Sequence, residues 1–536
     1  MRRFSPRALL VLFVVTGASS AGGQMASPTM SDATVVTRGA FRVRGEVRWT
    51  RIDGIFGPGG KEVLPLGASL TGDVGVTMLP LLTNAETAAR VLAADPAISL
   101  SAGRLTTSVD SRIATVPITA EYGLTSRITL GAVIPIVQSR SVVTSQLNGR
   151  SDSTANVGTN PAAFHGSAAA YGANATVANG IISARDQLEQ RIAQCAANPV
   201  ATGCSTINSR AAEASALVAS SSSFAQAIGS LYGVSNDQPG AVFVPLTGSA
   251  LQAAIEARLA GLRADFTSFG INGGSGSPTP AGGPAANAQL DRIVRDADYG
   301  IELDSIGTTE QTAVGDIELS ITGLLFNSFG STSRVRLRGA AAGVVRLGTG
   351  HPARPNRPFD IATGDGQTDL EVRGALDVMT GRLLTTLAGT YTVQTGSVAT
   401  TRLPTTMAPM FLLDIPVAGS VKPGNMAAVR INPRFMITRA LMVGALGVGS
   451  FRAADEVTMT GFAPGGVTFG NGSLTTYAGG LTISYSNLAS ATGVGDRRFP
   501  AEIVFSHLET LSASAAGAEK LYRDSIELRL YLRTRR

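Results

Sequence analysis

The side chains able to make or break bonds are few and scattered. The 536-residue chain has three histidines, His165, His351 and His507, in three separate segments, and two cysteines, Cys195 and Cys204. Nucleophilic catalysis needs a base within hydrogen-bond reach of the nucleophile. Ser506-His507 could belong to a hydrolase constellation, but a structural histidine near a membrane interface is the simpler reading. No Gly-x-Ser-x-Gly, His-Glu-x-x-His or phosphate-loop pattern occurs. Gly364-Asp-Gly-Gln-Thr-Asp369 carries oxygen ligands for a cation. It reads more simply as a turn entering a strand, which needs no ion. We therefore expect no enzyme, no catalytic residue, no cofactor and no metal.

Charged side chains recur instead on one face of alternating runs. Asp316 and Glu318 precede a run carrying Arg334, Arg336 and Arg338, and Asp369, Glu371 and Arg373 follow on the next. Glu121, Arg430, Arg434, Glu527 and Arg529 occupy the same kind of face elsewhere. Inside a barrel such groups avoid lipid and pair across strands. They are the lumen-lining candidates, either as a salt-bridge network filling the lumen or as the lining of a substrate path. The spacing predicts Asp316 and Glu318 opposite Arg334, Arg336 and Arg338.

The elements that must position these charges are strands. In Val116–Val137, Ile118, Ala120 and Tyr122 oppose Thr119 and Glu121, and Ile128, Leu130, Ala132, Ile134 and Ile136 oppose Arg127, Thr129 and Gly131. A period of two marks strands with different environments on their two faces. The tight connection between the runs makes a hairpin. The same alternation predicts twelve strands, beginning at Phe41–Arg51 and ending at Ser525–Arg533, most of ten or more residues. A membrane-crossing strand needs about 9–11 residues. A soluble sandwich would use strands averaging nearer 5–6. Turns after Gly123, Phe326, Met379 and Thr438 are short, whereas loops such as 348–366 and 395–423 are long, the asymmetry of an outer-membrane barrel. The expected fold is all-β, a transmembrane antiparallel β-barrel of about twelve strands.

Composition agrees. There are 62 glycines, one tryptophan and 15% charged residues, with no uninterrupted apolar run long enough for a spanning helix. Arg2, Arg3 and Arg7 before an apolar run and small residues predict a signal peptide over 1–21. The formal charge of +6 falls to about +3 without those three arginines, which gives no case for a nucleic-acid partner. The expected partners are outer-membrane lipid and a small-molecule substrate.

Two barrel portions, 22–140 and 313–536, flank an insertion at 141–312. There the period switches to three and four: Ile181, Ala184, Leu188, Ile192 and Cys195; Ala214, Leu217, Phe224, Ile228 and Leu231; Leu251, Ile255, Leu259, Leu262 and Phe266. These are helical stripes, predicting a helical cap outside the cell. Cys195 ends the first stripe and Asn198-Pro199 breaks the chain. In an oxidising compartment this predicts a local Cys195–Cys204 disulfide closing the helix–helix connection.

The runs EYGLTSRITLGAVIPIV (Glu121–Val137), VGDIELSITGLL (Val314–Leu325) and GDGQTDLEVRGALDV (Gly364–Val378) resemble bacterial outer-membrane barrels of the phenol-degradation meta-pathway, similar in turn to the long-chain fatty-acid transporters. The resemblance covers the barrel portions. It implies an outer-membrane channel for small hydrophobic or aromatic molecules. The alternative is a surface protein that displays the cap for adhesion or assembly without transport. The fatty-acid transporters carry an N-terminal plug with an Asn-Pro-Ala motif. Here Asn160-Pro-Ala162 lies in the insertion, and nothing before Phe41 reads as a plug.

Overall fold

The computed structural model describes residues 31–533, except 58, 150–153, 300–302, 305, 355, 358, 403–415, 460–467, 470–471, 488–499 and 516. The expected signal peptide at 1–21 lies outside the described residues. Twelve long strands form the wall: β1 (Ala40–Phe56), β2 (Arg104–Gly123), β3 (Ile128–Leu147), β4 (Ile317–Asn327), β5 (Val335–Leu347), β6 (Asp369–Thr380), β7 (Leu383–Val393), β8 (Met426–Met436), β9 (Leu441–Arg452), β10 (Leu474–Ser486), β11 (Ala501–Ala513) and β12 (Glu519–Arg533). Each pairs antiparallel with the next, and β12 pairs with β1 from Arg533↔Ala40 to Glu519↔Ile55. The sheet is closed and the wall has no free edge, the condition for a strand to sit in hydrocarbon.

The alternation sorts side chains between two solvents. Ile118, Leu130, Ile134, Ile321, Val372, Ile431, Leu481 and Leu528 stand on the outer face, each 40% exposed or more. Such a continuous apolar exterior suits lipid and not water. It has aromatic borders. Phe41 and Tyr122 stack at 4.8 Å near one rim, and Trp49 lies on the same outer face of β1 toward the other. The eight residue steps from Phe41 to Trp49 span about 26 Å of strand, the scale of an outer-membrane apolar band. Beyond Trp49 the outer face turns polar, with Arg51–Asp53 at 2.8 Å, Arg112–Asp110 at 2.6 Å and Lys520–Glu509 at 3.0 Å. The wall is therefore taller than the membrane on this side. β1 has 17 residues and β2 and β3 have 20 each, against 11 for β4.

Connections on the Phe41 rim are mostly short, and those on the Trp49 rim mostly long. The exceptions are residues 487–500 and 514–518. Short turns on the Phe41 rim and long loops on the Trp49 rim match the loop asymmetry of such barrels. The chain is an outer-membrane β-barrel.

Among the described residues six α-helices stand on the Trp49 rim: α1 (Leu82–Ala93) from the β1–β2 connection, then α2 (Ala168–Ala197), α3 (Cys204–Ser209), α4 (Ala211–Tyr232), α5 (Ala250–Ser268) and α6 (Asn287–Arg295) from the β3–β4 connection. The predicted stripes bury together, with Ile181, Leu188, Phe224, Ile228, Ile255, Leu262 and Phe266 in one core that includes Leu82 and Leu92 of α1. That core continues to Leu105 and Leu147 at the outer ends of β2 and β3. Ser167 and Ser249 accept N-capping bonds from the Ala170 and Gln252 amides. Asn160 of the Asn-Pro-Ala motif is fully buried. It donates to the Leu231, Tyr232 and Ala241 carbonyls and accepts from the Ala162 amide, so it satisfies the end of α4. β3 runs to Leu147, past the expected end at Arg140, because its ladder with β2 persists to Leu105↔Leu147. A short strand, Thr309–Val314, then returns along β3 before β4 begins.

The Cys195–Cys204 disulfide is formed and joins the end of α2 to the start of α3. Its removal frees a loop of nine-residue separation, worth about 2–3 kcal/mol of chain entropy. Cys195→Ser/Cys204→Ser is expected to lower the thermal stability of the cap. Migration of unboiled protein on a detergent gel should stay faster than that of boiled protein, as for the parent barrel.

Candidate functional site: the charged lumen

The inward face carries the charges, and the antiparallel register decides their partners. Glu318 near the start of β4 lies opposite Arg346 at the end of β5, which lies opposite Asp369 at the start of β6. Arg346 donates to Glu318 (3.2 Å) and Glu371 (3.1 Å), and Arg373 donates to Glu318 (2.8 Å) and to Glu371. Thr392 of β7 adds a 2.8 Å bond to Glu371. These groups are all nearly buried, so their mutual neutralisation is what makes the arrangement tolerable.

The expected pairing of Asp316 and Glu318 with Arg334, Arg336 and Arg338 is not formed. In an antiparallel hairpin the start of one strand meets the end of the next, so those arginines lie at the far end of the barrel. Arg338 pairs with Asp377 at 2.7 Å. Arg336 is half-buried on the inward face, and Arg334 is exposed in the turn before β5. Asp316 sits just ahead of β4 and accepts from the Gly350 and Asp365 amides.

A second network joins β1, β2, β11 and β12. Glu121 accepts from Arg42 and from Arg44 (3.2 Å). Arg529 donates to Glu527 (2.9 Å), Glu502 (3.1 Å) and Asp32 (2.6 Å). Asp32 belongs to the stretch before β1, and that stretch is inside the lumen. Ala33 is fully buried against Ala340, Ala375 and Ala388 of three strands, and its amide donates to Asp377 at 3.0 Å. The Val36 amide donates to Thr129, and Arg42 donates to the Thr34 hydroxyl. Residues 31–39 thus cross the lumen toward the Phe41 rim, contrary to the expectation that nothing before Phe41 would plug the barrel. The sequence signal was a lone carboxylate, Asp32, in a stretch whose one other charged residue is Arg38.

A second segment enters from the other rim. In the β5–β6 connection, Ile361 packs against the inward residues Ile52, Ile113 and Val137. Ser139 donates to the Ile361 carbonyl at 3.4 Å, and so does Gln311; Thr309 donates to that of Phe359 at 3.1 Å. The Gly364–Asp369 stretch is the expected turn: Gly366 has φ +70° and the Gln367 amide caps Asp365. Among the described residues no group of three or more His, Cys, Asp or Glu could hold a metal ion. Burial pushes the Asp365 carboxyl up to about 7, the Gln367 amide opposes, and the neighbouring Asp369 and Asp316 add to the rise.

Arg42, Arg346, Asp377, Asp32 and Glu502 also belong to these networks and were not among the sequence candidates. Glu121, Glu318, Asp369, Glu371, Arg373, Arg434 and Arg529 are buried inside the barrel, and Arg430 and Glu527 are half-buried there. Ser506 and His507 face opposite ways. Ser506 points inward onto Ser525 (2.8 Å), while His507 is outside with Asp524 (2.8 Å), so they form no catalytic pair.

No protein-family model matches the chain, and neither does any curated protein. Solved structures similar to it include an outer membrane channel from Pseudomonas putida F1 (9% identity, TM-score 0.38, covering 95% of this chain and all of that one). Others are the translocator domain of the autotransporter NalP from Neisseria meningitidis (6%, 0.25, 96% and 92%) and a FadL homologue of Pseudomonas aeruginosa (9%, 0.26, 97% and 99%). At such scores the architecture stands on the closed sheet itself.

Arg529→Ala removes the cation shared by Glu502, Glu527 and Asp32, leaving Glu527 only Arg44 at 3.7 Å, and should cost about 3–5 kcal/mol. The check is a lowered unfolding transition in detergent, with Arg336→Ala as a control that moves it little. For Asp365 the raised value means that the folded loop holds a proton which the released loop loses. The stabilisation is complete below the ordinary 3.8 and is lost as pH rises to about 7. Proteolysis within residues 348–368 should therefore quicken between about pH 4 and 7 in the parent protein, and Asp365→Asn should flatten that dependence.

Proposed function

We propose that this outer-membrane barrel is a gated channel for small hydrophobic or aromatic molecules, with residues 31–39 and 348–368 as its two gates. The observation that carries the reading is how those segments are held. Neither is a strand of the wall. Both are anchored by side-chain bonds and a few apolar contacts: Asp32 to Arg529, Ala33 to Asp377, Ile361 to the Ile52, Ile113 and Val137 patch. They can leave without breaking any rung of the closed sheet. The substrate class is supported by an apolar groove of about 650 Å³ on the wall, lined by Leu130, Leu319, Ile321, Val345, Leu370 and Tyr391 around Gly131 and Gly343. Its surroundings match the solvent in which apolar solutes concentrate.

The chain's own residues supply positioning and no bond chemistry. Small residues let the gates approach the wall, and paired charges keep the lumen polar. A second reading, display of the cap, is favoured by the cap's large helical core and its disulfide.

In planar bilayers the parent protein should conduct weakly. Asp32→Ala/Asp377→Ala, which unties the inner gate, should conduct several-fold more, and a deletion strain should take up toluene more slowly than the parent strain. If neither protein conducts and uptake is unchanged, the channel reading is abandoned. Replacing residues 154–299 by a short Gly-Ser linker separates the alternatives. Display predicts lost surface binding with uptake intact.

A further inference from the structure

The lumen is electrically lopsided. The β4–β6 and β1–β2–β12 walls are dense with paired charges. On the facing stretch from β7 to β10 the inward positions are small or neutral: Thr386, Ala388, Gly444, Ala478, Thr482 and Ser484 are typical. Within the membrane span of these four strands, among the described residues, the inward charges are Arg430 and Arg434, both on β8. Arg452, at the outer end of β9, is neutralised by Asp455.

Neither of those two arginines has a carboxylate within ion-pair distance among the described residues. Arg434 is 6% exposed, and one of its terminal nitrogens donates to the Thr386 hydroxyl at 3.1 Å, yet its Nε has no hydrogen-bond partner. Arg430 lies within electrostatic reach of Arg434, and of Glu527, Arg529 and Glu46 across the lumen. The two acids there are already engaged, Glu527 by Arg529 at 2.9 Å and Glu46 by Arg48 at 2.9 Å. Arg523 of β12 faces the same space, in reach of Arg48, Glu46 and Arg430. Removing cations from water without a counter-charge is costly. Guanidinium forks offer planar paired donors that match an oxyanion.

We propose that Arg430 and Arg434 form an anion-binding station inside the barrel, which takes small oxyanions, free or as the head group of a larger solute, and makes the lumen anion-selective. This rests on the reading of the lumen as a conduit. The station draws anions along β8 and holds them between two guanidinium groups spaced four residues apart on one face.

The test uses the full-length protein, Arg430→Gln/Arg434→Gln and Arg430→Lys/Arg434→Lys. Losing an uncompensated buried charge does not threaten folding, and heat-modifiable migration checks that each variant is a barrel. The first readout is the reversal potential across a potassium chloride gradient. The parent and the Lys variant should be several-fold selective for anions, and the Gln variant should lose that preference. The second is the unfolding temperature in detergent with inorganic phosphate, benzoate or benzyl alcohol, at matched ionic strength. Phosphate and benzoate should raise it for the parent, benzyl alcohol should not, and the Gln variant should respond to none. A rise with benzoate alone would assign the station to carboxylate head groups, and a rise with phosphate alone to free oxyanions. A Gln variant as anion-selective as the parent, or a parent without anion preference, would overturn the proposal. If no protein conducts, the channel reading fails by itself and the unfolding temperatures still decide the station. Equal shifts in parent and Gln variant then sink it.

Discussion

A backbone N–H in hydrocarbon has no water to turn to, so a strand there must be paired along both edges. The ladder between β12 and β1 meets that demand, and everything else in the molecule follows from the closure. A closed sheet has an inside. Side-chain alternation then sends apolar groups to lipid and leaves the other half facing a narrow space, where most charges are held by an opposite charge. Arg529 shows the result, since one guanidinium serves acids on its own strand, on the next strand and on the N-terminal segment.

The strands were legible because the two solvents impose a period of two on each of them. Phe41–Arg51 and Ser525–Arg533 were readable for that reason, each falling short of the full strand by five or six residues at one end. What alternation does not encode is which end of a strand meets which end of its neighbour. The partners of Glu318 were misassigned on that account. A local run of Asp-x-Glu and a later run of Arg-x-Arg-x-Arg look complementary in sequence, but hairpin geometry carries them to opposite rims, and Arg346 takes the role instead.

The gates were illegible for a different reason. Segments 31–39 and 359–364 have no regular period, because each packs through isolated residues into spaces shaped by several strands. Ala33 is buried by alanines from β5, β6 and β7, a fit that no window of the sequence contains. The cap lies at the other extreme. Its helices follow local stripes, its disulfide joins residues nine apart, and both could be read from short stretches.

The two ends of the cap insertion are tied to each other at the rim. Asn148 donates to the Ala285 carbonyl, and the Asn287 side chain accepts from the Leu147 amide and donates to the Ser145 carbonyl. The insertion therefore leaves and re-enters the wall at nearly one place. Closing even a flexible loop costs only about 0.6 kcal/mol more for each doubling of its length, and a folded insert with its ends already together avoids most of that. In evolutionary terms the barrel is a chassis and the cap a module. The module can be lengthened, exchanged or lost between one pair of staves while the register of all twelve is left untouched.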